Sequence, residues 1–393
     1  MQAAKMHREN SSGPESLTHT EPHQKELLSA AQGGGLGLIG MLCSRVLTLL
    51  FQAAVARLFG VTFFGYYITG IMLCRILQVI AGMGLPIGSM RYLIKSRERG
   101  DRQAMFLIYR ISVLAPLLGG TLSGGILYIT APQLCNNVFN EPNLIPVLRL
   151  FALSVPWFAL LRTLAEMSRS FGTVRYTILV EDLLFPFLHI CLLFFSYIIN
   201  GNALTVVLIF FISSVSCATI IGIVVYRQIE HCIVVSEKKT LNNSASSTVR
   251  ELLTYSIPLM PSGIFFMVSN NIDIFMLNIL NNGGAVGIYA AATRWTLLID
   301  AIGMPIYSIF RPLIGKAVMT NNLRTLRSLF MASCRWVMYI ILPLTTCLVL
   351  ASQPAMESFT KEQAAETASL LLWILLAGRI TNPLGNGAGL VLT

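Results

Sequence analysis

Long apolar runs separated by short polar segments fill most of this chain. A helix needs about 20 apolar residues to cross the hydrocarbon core of a bilayer. On that criterion the pattern predicts about ten membrane-spanning helices, and hence an all-α fold, a polytopic membrane helix bundle. The predicted spans lie near residues 33–56, 63–88, 105–131, 145–165, 176–199, 203–226, 253–280, 285–310, 329–352 and 366–390.

Composition excludes a water-soluble globule. Hydrophobic residues make up 54% of the chain and charged residues 12%, with a mean hydropathy of +0.68, whereas soluble domains carry about 25% charged residues. The net charge of +10 sits in short loops rather than in a basic patch interleaved with aromatic residues, so no nucleic-acid partner is predicted. The eight cysteines form no CxxC pair, and neither a metal site nor a cofactor is predicted.

The basic residues divide unevenly between the two sets of loops. Those after odd-numbered spans carry only Arg57 and Lys361. Positive loops stay in the cytoplasm, which predicts a multi-pass protein with a cytoplasmic N-terminus. Loops after even-numbered spans carry Arg91, Lys95, Arg97, Arg99, Arg102, Arg169, Arg175, Arg227, Lys238, Lys239, Arg250, Arg311, Lys316, Arg324 and Arg327.

Polar stretches divide the chain into four parts. Residues 1–28 are polar, lack the apolar core of a signal peptide and are predicted to form a disordered cytoplasmic tail. Residues 29–226 form an N-terminal lobe of six helices. A Ser/Asn-rich cytoplasmic linker follows at 227–252, and residues 253–393 form a C-terminal lobe of four helices, which is two short of the first.

The two halves repeat one another. Six helices separate the copies, and an even number preserves their orientation in the membrane. Such parallel repeats form two pseudo-symmetric lobes around a central cavity that rocking opens to either side, which predicts alternating access. The matching segments are Gly82–Ile87 with Ala301–Ile306, Phe64–Tyr67 with Val286–Tyr289, and Arg91 and Lys95 with Arg311 and Lys316.

Polar residues inside the first two spans predict a substrate site. Arg45 and Gln52 share one face of the first helix, and Arg75 and Gln78 share one face of the second. Both arginines lie near mid-span, where charge is costly and usually faces a cavity. The guanidinium fork suits a phosphate group, so a cationic wall for an anionic substrate is predicted. A structural pair with a nearby carboxylate is the alternative.

Spans seven and eight add Asp273, Arg294 and Asp300. Asp273 and Arg294 either form a buried ion pair that holds the lobe together, or bind substrate or a coupling cation. Asp300 is the better candidate for ion coupling, because a lone carboxyl group in an apolar site takes up a proton near neutral pH.

Span five contributes Glu181 and Asp182 as further ion-coupling candidates. Adjacent residues of a helix point in different directions, so at most one of them is expected to face a cavity, and a purely interfacial location is equally open. His189 in the same span is predicted to be a satisfied interior histidine. Near the span ends, four arginines are predicted to be snorkelling anchors: Arg110, Arg149, Arg162 and Arg335.

Seven short motifs occur in order along the chain: Ala56–Gly60, Phe64–Tyr67, Gly84–Pro86, Arg91–Tyr92, Gly100–Asp101, Asn271–Asp273 and Val286–Ala292. Together they resemble the polysaccharide transporter family of O-antigen-type oligosaccharide flippases, in the multidrug/oligosaccharidyl-lipid/polysaccharide superfamily. This resemblance implies two six-helix lobes in the cell inner membrane and a polyprenyl-pyrophosphate-linked oligosaccharide as substrate, moved during surface polysaccharide and lipopolysaccharide synthesis. By position, Arg45, Arg75, Asp273 and Arg294 fall where such members keep intramembrane charge.

Two alternatives stay open beside the flippase. A drug or toxin exporter of the same fold would favour acidic and aromatic residues in its cavity. An inactive, truncated remnant would account for the short second lobe. An enzyme is not predicted, because the sequence has no DxD loop, HExxH motif or phosphate-cradling loop. The predicted partners are the lipid-linked oligosaccharide and the bilayer, with other polysaccharide assembly proteins as candidates.

Overall fold

The computed structural model of the protein describes residues 20–172, 174–235, 245–319 and 322–392, with side chains at 40–172, 174–232, 248–299, 310, 314, 322–361 and 365–380. This described part is helical throughout and contains no strand. A π-helical segment, Ile178–Leu184, joins α6 to α7. The helices are α1 (Thr20–Phe59), α2 (Val61–Gly82), α3 (Leu85–Arg99), α4 (Arg102–Asn137), α5 (Ile145–Arg169), α6 (Arg175–Thr177), α7 (Phe185–Ile198), α8 (Leu204–Val235), α9 (Ala245–Ser256), α10 (Met260–Ser269), α11 (Ile272–Leu280), α12 (Gly283–Met319), α13 (Leu323–Leu350), α14 (Ser352–Glu357) and α15 (Glu362–Leu392).

The all-α membrane bundle predicted from hydropathy is confirmed. Within the described residues, eight helical stretches are long and apolar enough to cross a bilayer. The remaining two predicted spans, 285–310 and 366–390, fall within the long helices α12 and α15. The eight stretches are Gly40–Phe59, Val61–Gly82, Arg102–Asn137, Pro142–Arg169, Arg175–Ile198, Leu204–Cys232, Thr248–Ser269 and Leu323–Leu350.

One face of α4 shows why the bundle needs lipid around it. Leu114, Leu118, Leu122 and Ile126 recur every four residues and are between 55% and 69% exposed. That spacing places them on one side of the helix. A contiguous apolar stripe of this kind is unfavourable in water, and hydrocarbon covers it at no cost.

Small residues allow close packing of α4 against α5 in the first half of the chain. A Cβ added at Gly120 would overlap Pro156, and one added at Gly124 would overlap the carbonyl oxygen of Ala152. Gly-mediated contact lets α4 and α5 approach closely, which is the usual way for helices to gain packing energy within a membrane.

The second predicted span, 63–88, was drawn too long. Helix α2 ends at Gly82, and both Met83 and Gly84 adopt left-handed backbone angles, with φ of 47° and 70°. At Gly84 a Cβ would also overlap the carbonyl oxygen of Ser256. Glycine tolerates this conformation and this approach, so the chain turns here and continues as the separate, basic helix α3.

The seventh predicted span, 253–280, is broken into short helices. After α10 the backbone leaves the helical conformation at Asn271, whose φ is −132°, and α11 begins at Ile272. The side-chain amides of Asn270 and Asn271 donate back to the carbonyls of Phe266 and Met267, both at 2.7 Å. These bonds compete with regular helical hydrogen bonding, which explains the break.

The predicted tail and linker fall partly on described residues. Residues 20–28 of the tail lie in α1, while residues 1–19 lie outside the described residues. The linker prediction of 227–252 overlaps the end of α8 at Val235 and the beginning of α9 at Ala245, and residues 236–244 between them lie outside the described residues.

A reciprocal glycine contact relates the two repeats. A Cβ added at Gly65 in α2 would overlap the carbonyl oxygen of Gly283, and a Cβ added at Gly287 in α12 would overlap that of Val61. Gly65 and Gly287 are equivalent in the sequence repeat, and each meets the residue four positions before the other. This exchange is what a two-fold relation between α2 and α12 requires, and it agrees with the sequence repeat.

Candidate functional site

A cavity of about 510 Å³ lies beside α1 and extends to the loop between α5 and α6. Its walls come from α1, α2, α5, the π-helical segment Ile178–Leu184, α7 and α8, all in the first half of the chain, and from Arg294 of α12 in the second half. The charge pattern assigns the loop at Val174, where the lining ends, to the cytoplasm. The cavity therefore lies mainly within the first lobe rather than equally between the two.

Positive charge dominates the lining of this cavity. Five arginines face it against two carboxylates, Glu181 and Asp182. The arginines come from four helices, so no single helix accounts for the cluster. They are Arg45 in α1, Arg75 in α2, Arg162 and Arg169 in α5, and Arg294 in α12.

Arg75 and Arg294 are buried without an ion-pair partner among the described residues. The Nε atom of each is buried without a hydrogen-bond partner. Arg75 lies within electrostatic range of Arg45 and Arg162, and Arg294 lies within range of Arg75 and Arg45 and of the Asp273 carboxylate. Clustered like charges in a poorly solvated site are costly, and an anion entering the cavity would relieve that cost.

The two carboxylates differ in their partners. Glu181 accepts from Nη1 of Arg162 at 3.2 Å, with exposed side-chain fractions of 10% for Glu181 and 45% for Arg162. Asp182 forms no ion pair with any described residue. Both line the cavity, so the expectation that at most one would face it was wrong. They lie on the π-helical segment Ile178–Leu184, which turns less per residue than an α-helix and keeps neighbours on one side.

Aromatic rings form the inner wall of the cavity. His189 lies edge-on to Phe185 at 4.5 Å and to Phe51 at 4.9 Å between ring centroids. Phe158 and Phe210 extend this wall, 5.3 Å apart. The Nδ1 atom of His189 lies 2.7 Å from the carbonyl oxygen of Phe185, as expected of a satisfied interior histidine. An apolar wall thus adjoins the cationic one.

The predicted site residues divide into three groups. Arg45, Gln52, Arg75, Arg294, Glu181 and Asp182 line the cavity. Gln78 is buried elsewhere on α2, and Asp273 lies apart from the cavity, where it accepts a hydrogen bond from the Tyr289 hydroxyl rather than pairing with Arg294. The side chain of Asp300 lies outside the described residues, although its backbone belongs to α12.

Two cavity residues were missed in the sequence. Arg162 was assigned to snorkelling and Arg169 to a cytoplasmic loop, yet both line the cavity. Their spacing of seven residues places them on one face of α5, together with Phe158. The same period that predicted a shared face for Arg45 and Gln52 could have identified them.

The opposite end of the two central helices is closed. The Tyr66 hydroxyl donates to Oε2 of Glu141 at 2.7 Å, and the backbone amide of Gly283 donates to Oε1 at 3.2 Å. Deeper in the bundle, the buried hydroxyl of Thr69 donates to Oδ1 of Asn278 at 2.9 Å. The bonds of Gly283 to Glu141 and of Thr69 to Asn278 link the first half of the chain to the second. The cavity lining, in contrast, extends to Val174, at the end that the charge pattern assigns to the cytoplasm.

Comparison with known families gives one extensive match. A family model described as "polysaccharide biosynthesis protein" matches residues 30–318. No curated protein sequence matches this chain at a significant level.

Solved structures share the fold at low sequence identity. An inward-facing multidrug resistance MATE family transporter of the MOP superfamily is 15% identical, with 90% of this chain and 82% of that chain covered, at a TM-score of 0.63. A MOP superfamily transporter from Pyrococcus furiosus is 16% identical, with 91% and 81% covered and a TM-score of 0.60, and is described as having a binding pocket of reverse polarity that suggests a different function. A mutant of a Vibrio cholerae MATE transporter is 16% identical, with 92% and 86% covered and a TM-score of 0.54.

Proposed function

This chain belongs to the polysaccharide biosynthesis protein family, and from that premise we propose that it moves a polyprenyl-pyrophosphate-linked oligosaccharide across the cell inner membrane by alternating access. The transported molecule joins an anionic pyrophosphate to a glycan and a lipid tail. A carrier for it needs a cationic cavity within the bilayer, an adjoining surface for sugar rings, and two lobes that expose the cavity to either side in turn.

The observation that carries this proposal is the excess of arginine in the cavity. Arg75 and Arg294 come from the two halves of the chain, face one cavity and have no carboxylate partner among the described residues. Two guanidinium groups can hold a pyrophosphate through paired, charge-assisted hydrogen bonds. Because one is supplied by each half, a bound pyrophosphate would tie the two lobes together.

The size and the second wall of the cavity agree with such a headgroup. Its volume of about 510 Å³ falls within the range of roughly 300–1,000 Å³ typical of small-ligand sites. The rings of Phe51, Phe158 and Phe185 offer apolar faces against which a sugar ring packs. We propose that the pyrophosphate and its first sugars occupy the cavity, while the lipid tail remains in the bilayer.

A transport assay tests this proposal directly. In proteoliposomes, flipping of a fluorescent short-chain polyprenyl-pyrophosphate disaccharide is measured with a membrane-impermeant quencher. We expect Arg75→Gln and Arg294→Gln each to slow flipping about tenfold or more, the effect of losing charge-assisted hydrogen bonds. The matched control is Arg149→Gln, since Arg149 is also within a span but lies over the Tyr128 ring, 5.2 Å from its centroid, and outside the cavity. Unchanged flipping in both cavity variants would refute the proposal.

Export of cationic drugs is the second candidate. The shared fold with MATE transporters and the two cavity carboxylates favour it. The surplus of arginine opposes it, because a cationic dye would meet five guanidinium groups. The same proteoliposomes loaded with ethidium separate the two candidates: gradient-driven ethidium movement without flipping of the pyrophosphate probe would establish the exporter.

A further inference from the structure

The two basic residues of the predicted outer loops meet in one pocket. Arg57 ends α1 and Lys361 precedes α15, and they belong to opposite halves of the chain. Both line a pocket of about 1080 Å³ at the end of the bundle away from the arginine-rich loops. Basic residues are disfavoured on the outer side of a membrane protein, so the convergence of the two on one pocket calls for a function.

This pocket is built by both lobes. The turn between α1 and α2 contributes Gly60 and Thr62, and the first turn of α12 contributes Gly284. The segment between α14 and α15 supplies Thr360 beside Lys361. The space in front of Gly60 is open, because a Cβ added there would have no neighbour within 4 Å. The pocket is therefore accessible from the outer surface.

The cations in this pocket outnumber the acids that the described residues contribute to it. Arg57 donates from Nη2 to the backbone carbonyl of Glu357 at 3.1 Å, which uses one donor and cancels no charge. The carboxylate of Glu357, which also lines the pocket, accepts from Nε2 of Gln353 at 3.1 Å, so two cations face one acid. Lys361 is exposed and forms no ion pair in the described part of the chain. Both cations thus keep donors available for a ligand.

A helix terminus adds to the positive field. Of the first amides of α12, Gly283 donates to Glu141 and Ala285 donates to Oδ1 of Asn282. The amide of Gly284, which lines the pocket, has no partner among the described residues. Free amides and the helix dipole make such a terminus favourable for an anion, in addition to the two side-chain cations.

We propose that this pocket binds the phosphate of a membrane lipid in the outer leaflet, held between Arg57 and Lys361. Arg57 and Lys361 move with different lobes, so the ligand binds best while the outer ends are together. Binding therefore favours the outward-closed state by its difference in affinity between the two states. Two lipids supply the same chemistry: an anionic phospholipid and the polyprenyl pyrophosphate after its release. Only the second source rests on the proposed function.

Binding to nanodiscs of neutral phosphatidylcholine tests the pocket. The probes are farnesyl pyrophosphate, followed by titration, and phosphatidylglycerol, followed by native mass spectrometry. We expect the double variant Arg57→Gln, Lys361→Gln to lose affinity for one or both probes by about tenfold or more. Loss for farnesyl pyrophosphate identifies a prenyl pyrophosphate as the source, and loss for phosphatidylglycerol identifies a phospholipid.

Two further variants make the outcome specific. Arg102→Gln, Arg110→Gln removes the same charge at the opposite end of the bundle and is expected to leave both affinities unchanged. Arg75→Gln, Arg294→Gln removes the central site, so outer-pocket binding that persists there is independent of the proposed transport. Equal binding by wild type and the Arg57 and Lys361 double variant, or an equal loss in the Arg102 and Arg110 control, would overturn the proposal.

Discussion

Two arginines of this protein, Arg75 and Arg294, are buried beside other arginines, where a positive charge is energetically costly. Arg75 lies within electrostatic range of Arg45 and Arg162 rather than of a partner carboxylate. Arg294 shares that environment from the other half of the chain. A structural role would have been served by an ion pair or by an apolar residue of similar volume. Binding of an anion, as proposed above, would offset the cost of this arrangement.

The two cavity acids are expected to behave differently on substitution. Glu181 is held by Arg162, whereas Asp182 has no ion-pair partner among the described residues and is free to exchange a proton with the cavity. With a pH gradient across proteoliposomes, we expect Asp182→Asn to abolish the dependence of flipping on the gradient. Glu181→Gln should retain that dependence and lower thermal stability, because Arg162 loses its partner.

Glu166→Gln is the matched control for this pair. Glu166 also forms an ion pair, with Arg169 at 3.1 Å, but does not line the cavity. Retained gradient dependence in Asp182→Asn would disprove the assignment, and its loss in Asp300→Asn would transfer the role to Asp300.

For single residues, the sequence showed which charged side chains lie within apolar runs, but it did not show every contact that they make. Arg45, Arg75 and Arg294 stand out as charges in apolar runs and could be predicted to line a cavity. Asp273 stands out equally, yet its carboxylate accepts a hydrogen bond from the Tyr289 hydroxyl and does not line the cavity. Contacts of this kind depend on helix rotation, which hydropathy does not specify.

The sequence predicted where the apolar spans lie, but it did not predict where a helix breaks within a span. Apolar runs of 20 residues or more located every span, since an unsatisfied backbone cannot cross a bilayer. The breaks at Gly84 and Asn271 come from a close approach to Ser256 and from side-chain competition for helical carbonyls. Both causes are tertiary or conformational, and they leave the hydropathy of the run unchanged.

The contact between α2 and α12 gives a prediction for whole elements. We expect Gly65→Ala to destabilise the protein by about 1–3 kcal/mol, the usual cost of overpacking, because the new methyl group overlaps the backbone of Gly283. Thermal unfolding in detergent measures this as a lower midpoint.

Gly125→Ala is the control for this substitution. Gly125 lies inside α4 with no atom within 4 Å of an added Cβ, so alanine there should be neutral or stabilising by about 0.5–1 kcal/mol. A midpoint for Gly65→Ala at or above that of Gly125→Ala would contradict the tight contact.

In the molecule as a whole, the two halves contact each other at one end of the bundle, and the cavity extends to the other end. Glu141 joins the halves at the end away from the arginine-rich loops, and Asn278 joins them deeper in the bundle, while the arginine cavity extends to the loop at Val174. The repeat in the sequence predicted two lobes that alternate. It could not predict that the cavity would lie mostly within the first lobe, because both copies contribute similar polar positions.

A disulfide across the outer closure is expected to stop transport. A Cβ added at Gly284 lies 3.5 Å from Oγ1 of Thr62, which is close to where the sulfur of a cysteine at position 62 would lie, so a disulfide between the two positions is within reach. With the eight native cysteines replaced, oxidation of Thr62→Cys, Gly284→Cys should arrest flipping, and a reductant should restore it. Each single variant controls for disturbance of the pocket. Continued flipping by fully cross-linked protein would rule out opening at this end.

The paired glycines also determine how far the cavity residues travel. If the lobes rotate about the contact of Gly65 with Gly283, displacement grows in proportion to the radius from that pivot. Arg75 is ten residues further along α2 than Gly65, a radius of about 15 Å, and Arg294 is eleven residues beyond Gly283, a radius of about 17 Å. The two guanidinium groups therefore lie at similar radii from this pivot, and rotation of the lobes would move them by similar distances and draw them away from a pyrophosphate that spans them. A small tilt of α2 and α12 as rigid helices would then weaken the hydrogen bonds of the two arginines to the pyrophosphate.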